Sequence, residues 1–279
     1  MTDVRALLEQ GTRALSGAGA RREAAVLLRS TLGVSDAWLI AHDRDAVGAE
    51  STAAYLAAIR RRAAGEPVAY LTGVRGFHAL ELRVTPDVLI PRTETELLVD
   101  CVLRRLPAGS PCRVADLGTG SGAVALAIAH ARPQARVVAT DASPAALRVA
   151  RGNATRLGLG NVEWLHGDWC AALGDLHFDV IASNPPYVAI GDGHLRAGDV
   201  RFEPAMALVS GPDGLDAIRC IVRDAAAHLA GQGWLLFEHG FEQGAAAREL
   251  LRQRGYKAIF TARDVEGRER VSGGQVAAA

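Results

Sequence analysis

A short apolar strand, Val114-Ala115-Asp116-Leu117, runs straight into Gly118-Thr119-Gly120-Ser121-Gly122, and Ala123-Val124-Ala125-Leu126-Ala127-Ile128-Ala129 follows as a helix. That order leaves few folds open. Glycines at a strand-to-helix turn permit positive φ and let a ligand approach the backbone closely. The turn also scores as the dinucleotide fingerprint G-x-G-x-x-A, so alone it says only that something binds at the first βα turn. Asp116 narrows the choice. A carboxylate beside the glycines repels a pyrophosphate and suits the ammonium of a methionine moiety.

Three further strands repeat the arrangement. Val137-Val138-Ala139-Thr140 ends in Asp141, and an acid there can accept both hydroxyls of a ribose. Val162-Glu163-Trp164-Leu165-His166-Gly167 ends in Asp168-Trp169, an acid and a flat ring suited to an adenine amine and its face. Phe178-Asp179-Val180-Ile181-Ala182-Ser183 ends in Asn184-Pro185-Pro186-Tyr187. Two prolines stop a strand because neither has an N–H, and they hold the preceding Asn extended. The strand therefore ends on a rigid carboxamide, bare carbonyls and an aromatic ring, at the sheet edge where open α/β sheets bind ligands. That group suits one task, holding an –NH2 by two acceptors beneath an electrophile. Any one strand-tip acid is common at a surface; three in register beside the Asn-Pro-Pro-Tyr tip are hard to assign to chance.

With these residues the chain resembles the S-adenosylmethionine-dependent methyltransferases of Rossmann-like fold, and within them the PrmC/HemK family of peptide chain release factor N5-glutamine methyltransferases. Gly65-Glu66-Pro67-Val68-Ala69-Tyr70-Leu71-Thr72-Gly73 is similar to that family's entry to its linker, and Leu89-Ile90-Pro91-Arg92-Thr93-Glu94-Thr95-Glu96 to its Pro-Arg-x-(Asp/Glu)-Thr-Glu signature. Phe202-Glu203-Pro204, Gly211-Pro212-Asp213-Gly214-Leu215-Asp216 and Arg263-Asp264 with Gly267-Arg268-Glu269-Arg270 resemble further family segments. The likeness spans nearly the whole chain. It implies an α/β fold: a Rossmann-like, seven-stranded methyltransferase domain over residues 93–279, a small N-terminal helical bundle over 1–75 for substrate docking, and a β-hairpin linker over 76–92. Residues at helical spacing before position 75 (Val4, Leu7, Leu8; Tyr55, Leu56, Ile59) and the alternation of Phe77, Leu80, Leu82 and Val84 agree with that division. A helix is expected over Glu94–Leu106.

The resemblance implies S-adenosyl-L-methionine as cofactor, held by Gly118, Thr119, Gly120, Ser121, Gly122, Asp141, Asp168, Trp169 and Asn184. It also implies transfer to the glutamine of a Gly-Gly-Gln segment in a release factor. Asn184, Pro185, Pro186 and Tyr187 would bind the glutamine. The Asn184 side-chain oxygen and the Pro185 carbonyl would accept its two amide hydrogens, and Tyr187 would pack on the amide plane and meet the sulfonium. Phe77 either leans over the cofactor or fills the hairpin core. Arg92, Glu94, Thr95 and Glu96 either dock the substrate and shape the pocket mouth, or belong to a capping box begun by Thr93. Glu203 is either a brace for the Asn-Pro-Pro-Tyr loop or a surface acid, and His239 is structural.

Composition sets limits on partners. At 279 residues and 49% hydrophobic the chain has ample core for two modest domains. Four scattered cysteines and eight histidines form no metal-ligand spacing, so no metal is expected and the thiols read as free, as in the cytoplasm. No apolar run spans a membrane, and Met1-Thr2-Asp3-Val4-Arg5 does not begin a secretory signal. The formal net charge of zero argues against a direct grip on long nucleic acid. Arg60-Arg61-Arg62 is the one candidate basic patch, with a solvated helix face as its plainer explanation. A monomer is expected. The rival function keeps the cofactor and methylates an exocyclic amine of adenine or guanine, chemistry for which Asn-Pro-Pro-Tyr also serves. A nicotinamide oxidoreductase lacks an evident hydride-chemistry pair here, and a non-catalytic adaptor does not account for the intact set of tip residues. Gly273-Gly274-Gln275 repeats the substrate's own motif, by chance or as a site of self-methylation.

Overall fold

The computed structural model describes residues 2–196 and 198–278. They form two compact units. The first holds the residues up to Val74 together with Arg196–Phe202. Its helices are α1 (Val4–Ala14), α2 (Ala20–Leu32), α3 (Asp36–Ala41), α4 (Ala49–Ala63) and α5 (Val68–Thr72). Local chemistry sets their ends. Asp3 caps α1 by accepting from the Ala6 N–H, Ser35 caps α3 by accepting from Trp38, and Gly33 closes α2 in a left-handed turn. Leu7, Leu27, Leu28, Tyr55 and Ile59 bury the shared apolar face. The arginine triplet is not a free basic patch. Arg61 pairs with Glu66, and Arg62 bridges Glu23 at 2.8 Å and Asp199 at 2.7 Å within this unit.

The second unit holds Arg75–Leu195 and Glu203 onward. A two-stranded hairpin, β1 (Val74–Phe77) and β2 (Leu80–Arg83), opens it. Phe77 is buried with Leu80, Leu82 and Leu98, so it belongs to the hairpin core. The helix expected from Glu94 starts later. Thr93–Thr95 form a 3-10 turn and α6 runs Glu96–Leu103. The capping box does not form: the Glu96 carboxylate accepts from the His78 N–H (2.9 Å), and neither the 3-10 turn nor α6 has a side-chain cap.

Then come β3 (Arg113–Leu117), α7 (Ala123–Ala131), β4 (Arg136–Asp141), α8 (Pro144–Leu157), β5 (Val162–His166), β6 (Phe178–Ser183), α9 (Asp216–Asp224), β7 (Leu229–Glu238), α10 (Gly244–Gln253), β8 (Lys257–Arg263) and β9 (Glu269–Gln275). The seven strands from β3 onward lie in the order β5-β4-β3-β6-β7-β9-β8. The first five run parallel, and β9 pairs antiparallel with both β7 and β8. Two apolar clusters, one on each face, bury the parallel strands, which is why these strands read as continuous apolar runs. The chain leaves β3 toward β4 on one side and returns to β6 on the other. A topological switch point therefore lies beyond the carboxyl ends of β3 and β6. Among the described residues no helix is long and apolar enough to cross a membrane, and all four cysteines are free.

Candidate active site

A cavity of about 590 Å³ opens at that switch point, and all of its lining residues belong to the second unit. The register brings the motif residues together. Leu117 pairs with Thr140 on one side and Ser183 on the other, so the glycine turn, Asp141 and Asn184 leave their strands at one level.

The glycine turn is shaped by its neighbours. Gly118 has φ of +72°, and a Cβ there would come within 3.0 Å of the Trp169 ring. The ring thus rests against the turn, and Trp169 itself holds a φ of +43°, a costly conformation for a bulky residue. Gly122 begins α7 with φ of +85°, and a Cβ there would meet Leu126 at 2.9 Å and Ala150 at 3.2 Å. Gly122 does not line the cavity; close packing of α7 requires it. Gly118, Thr119, Gly120 and Ser121 do line it, with Asp141, Asp168, Trp169, Asn184 and Pro186.

The charge of the site is one-sided. Asp87, Asp116, Asp141, Asp168 and Asp216 line the cavity, and no Arg, Lys or His does so among the described residues. Asp141 is committed at both oxygens, Oδ2 accepting from the Gly120 N–H (2.9 Å) and Oδ1 from Ser143 (2.8 Å). Burial holds its pKa above the usual carboxylate range. Asp116 is buried, and its Oδ2 accepts from the Thr119 hydroxyl (2.7 Å) and the Ala125 N–H (3.1 Å). Burial, with a smaller push from Asp141, raises its pKa to about 6. Such a site favours a cationic ligand and disfavours a dinucleotide pyrophosphate. The donors and acceptors present fit S-adenosyl-L-methionine: acids for its ammonium and ribose, an indole for its base, and no competing cation.

The Asn-Pro-Pro-Tyr tip divides. Asn184 and Pro186 line the cavity, and Pro185 between them is buried. Tyr187 does not line the cavity. Its hydroxyl donates to Glu238 Oε1 (3.1 Å), and its carbonyl accepts from Gln243 Nε2 (3.1 Å). These two contacts brace the residue from its hydroxyl and from its main chain. The Asn184 Nδ2 donates to the Thr95 hydroxyl (3.0 Å). Glu203 is no surface acid. It accepts from the Ile90 N–H (3.0 Å) and from Arg92, with its side chain fully buried, and so braces the Pro91-to-Thr95 segment at the cavity wall. His239 donates from Nδ1 to the Gly240 carbonyl (2.8 Å) and meets Ser272 at Nε2 (2.9 Å), a structural role, and burial lowers its pKa.

Glu238 was not singled out from sequence, although it ends the apolar run Trp234-Leu235-Leu236-Phe237 as Asp141 ends its own strand. Gly273-Gly274-Gln275 lies far from this chemistry. It is part of β9, where a Cβ on Gly273 would meet the Leu235 carbonyl at 2.6 Å. Gln275 pairs with Trp234 and donates to the Gln232 carbonyl (2.8 Å), toward the amino end of β7, while Glu238 ends that strand at its other end.

Residues 6–73 match the PrmC N-terminal domain family and residues 93–211 the methyltransferase small domain family. The chain is 51% identical over 255 residues to a release factor glutamine methyltransferase of Xylella fastidiosa, covering 91% of this chain and 93% of that one. The same identity holds over 255 residues with the protein of that description from Bordetella pertussis, covering 91% and 94%. In fold it is similar to the 16S rRNA methyltransferase of T. thermophilus in complex with AdoMet and guanosine, with a TM-score of 0.54 at 22% identity over 72% of this chain and 49% of that one. The five-aspartate cavity, the strand-tip residues and these likenesses agree, and the chain belongs to the release factor glutamine methyltransferase family of S-adenosyl-L-methionine-dependent enzymes.

Proposed function

We propose that this protein transfers a methyl group to the side-chain amide nitrogen (N5) of the glutamine in the Gly-Gly-Gln motif of peptide chain release factors. The observation that carries the reading is Asn184, whose amide nitrogen is spoken for by Thr95 while the residue faces an acid-lined cavity. That arrangement leaves Asn184 Oδ1 as an acceptor toward the cavity. Asn184 Oδ1 takes one hydrogen of the substrate –NH2, and the carbonyl of Pro185, a buried residue between two lining ones, takes the other, which fixes the nitrogen and raises electron density at its lone pair.

The chain's other residues prepare the site. Asp141 accepts the ribose hydroxyls, Asp116 Oδ1 faces the ammonium, and Asp168 with Trp169 receives the adenine. Bound there, S-adenosyl-L-methionine supplies a methyl already electrophilic on its sulfonium. No side chain is needed as a base before transfer, because alignment alone can supply ~7–11 kcal/mol in favourable cases. The proton leaves afterwards to solvent. The helical unit docks the release factor, and the free thiols suit a cytoplasmic monomer.

Transfer of labelled methyl to purified bacterial release factor tests this. Label should appear on the native factor and vanish when the Gly-Gly-Gln glutamine is replaced. Label on stem-loop RNA or duplex DNA alone would move the chain to the base-modifying enzymes.

A further inference from the structure

Behind Asn184 lies a set of groups that the transfer itself does not use. Asn184 Nδ2 donates to Thr95 Oγ1 at 3.0 Å, and Tyr187 donates its hydroxyl to Glu238 Oε1 at 3.1 Å. The Thr95 hydroxyl is near enough to this carboxylate to favour its charged form, although no hydrogen bond within 3.5 Å joins the two. Thr95 is 3% exposed and Glu238 is wholly buried, so water does not compete for either. The other carboxylate oxygen, Glu238 Oε2, is buried with no hydrogen-bond partner. Strand alternation explains the meeting. Ser183 pairs with Phe237, so Asn184 and Glu238 follow side by side from neighbouring strands.

An ionised carboxylate only accepts hydrogen bonds. Facing it, the Thr95 hydroxyl turns its single proton toward Glu238 and leaves a lone pair for Asn184. Only the –NH2 end of the Asn184 amide can meet that lone pair. The amide oxygen is thereby directed away from Thr95. Heavy-atom positions alone do not choose between the two ends of a carboxamide; here the charge two groups away makes the choice. A protonated Glu238, or a Gln in its place, lets the Thr95 proton swing to Asn184 and removes the preference. Tyr187 is fixed by the same carboxylate, so both ends of the Asn-Pro-Pro-Tyr tip hang from one acid.

We propose that Thr95 and Glu238 are positioning residues: the Glu238 carboxylate sets the direction of the Thr95 hydroxyl, and Thr95 holds Asn184 with its amide oxygen presented to the substrate –NH2. This rests on the role given above to Asn184. The groups that face Glu238 are Glu94 and Thr95 from the 3-10 turn, Tyr187 from the loop after β6, and Arg270 from β9. Arg270 is itself paired with Asp264 at 3.1 Å. Burial outweighs these partners and lifts the Glu238 pKa to about 7. Turnover should therefore rise with pH through that region.

The test uses the full-length chain with Thr95→Val, Thr95→Ser, Glu238→Gln and Asn184→Ala. Thr95→Val should lower kcat about tenfold or more, with cofactor affinity held within about twofold, and Thr95→Ser should recover most of it. Glu238→Gln should lower kcat and abolish the acid limb of the wild-type kcat profile. A second readout needs no protein substrate: the Asn184 side-chain amide resonances should shift with pH near 7 in the wild type and stay fixed in Glu238→Gln. Fixed resonances in both, or a Thr95→Val loss of kcat matched by an equal loss of cofactor binding, overturns the proposal and leaves only a structural role. If Asn184→Ala alone is inactive while the other variants keep wild-type kcat and pH profile, the relay fails and the reading of Asn184 survives. If Asn184→Ala keeps its turnover, that reading fails and the relay fails with it.

Discussion

The Ser183 hydroxyl donates to the Leu117 carbonyl at 2.8 Å, joining the last residues of two adjacent parallel strands inside the protein. The glycine turn starts one residue after Leu117, and Asn184 is one residue after Ser183. The glycine-turn side and the Asn184 side of the cavity are thus pinned to each other at the point where ladder hydrogen bonding stops. Ser183→Ala should cost about 1 kcal/mol, as for a typical buried hydrogen bond. Urea midpoints give the stability change, and kcat measured alongside should fall by more than cofactor affinity does. An unchanged midpoint and kcat would show that the strand ends hold their spacing without this bond.

Asn184→Ala removes the acceptor aimed at the cavity and should reduce kcat by about 100-fold, the usual effect of deleting one preorganised polar contact to a reacting group. Cofactor binding by calorimetry should persist. Asn184→Asp keeps an oxygen but places a charge beside Thr95 and Glu238, so its turnover should lie between the two. Near-normal turnover in Asn184→Ala would sink the two-acceptor arrangement.

Asp141 holds the backbone of the glycine turn and also lines the cavity. Its two oxygens accept from the Gly120 and Ser143 N–H groups. Asp141→Asn sets an –NH2 against one of those donors and removes the charge. We expect cofactor affinity to weaken by about tenfold or more, a loss of ~1.4 kcal/mol. The KM for the protein substrate should change little.

Glu203 and Arg92 form an ion pair whose carboxylate is fully buried, with the Ile90 N–H as a third partner. Glu203→Ala leaves both donors without their acceptor and should destabilise by about 3–5 kcal/mol in chemical denaturation. Glu203→Gln keeps an acceptor for Ile90 and should cost less. Equal midpoints for the two variants would mean that a neutral acceptor for the Ile90 N–H contributes nothing at this place.

The sheet was readable because each buried strand is a continuous apolar run closed by a polar tip, and periodicity reports burial directly. Asp141 and the glycine turn were readable for the same reason: their positions follow from where a strand must stop. What sequence could not supply was the partner of each group. Thr95 and Glu203 stood as open alternatives, because only the fold shows that one meets Asn184 from 89 positions away and the other Ile90 from 113. The hydroxyl partner of Tyr187 is hidden on the same account. An aromatic ring after two prolines reads as a lid, and the draw of its hydroxyl toward Glu238 depends on β7 lying beside β6. The Thr93–Glu96 capping box was a sound local pattern that lost to a tertiary contact, the His78 N–H on Glu96.

The acid that orients the site should also weigh on stability, with a sign that can be worked out. Glu238 has a folded pKa of about 7, against 4.5 for an unperturbed glutamate. Between those values the folded chain keeps a proton that the unfolded chain has released. Stability should therefore fall as pH rises through that window and level off above it. The full effect is roughly 3 kcal/mol, from about 1.4 kcal/mol per pH unit. Asp116, raised to about 6, slopes the same way and is present in every variant. Glu238→Gln matches the protonated acid in shape, so near pH ~5 it should equal the wild type in stability, and near pH ~8 it should be the more stable protein. Urea denaturation at both pH values measures the difference. A variant that gains nothing at the higher pH would show that burial does not oppose the Glu238 charge. A variant that gains stability there while losing turnover would show that the folded state carries an unfavourable buried charge because Asn184 has to be aimed.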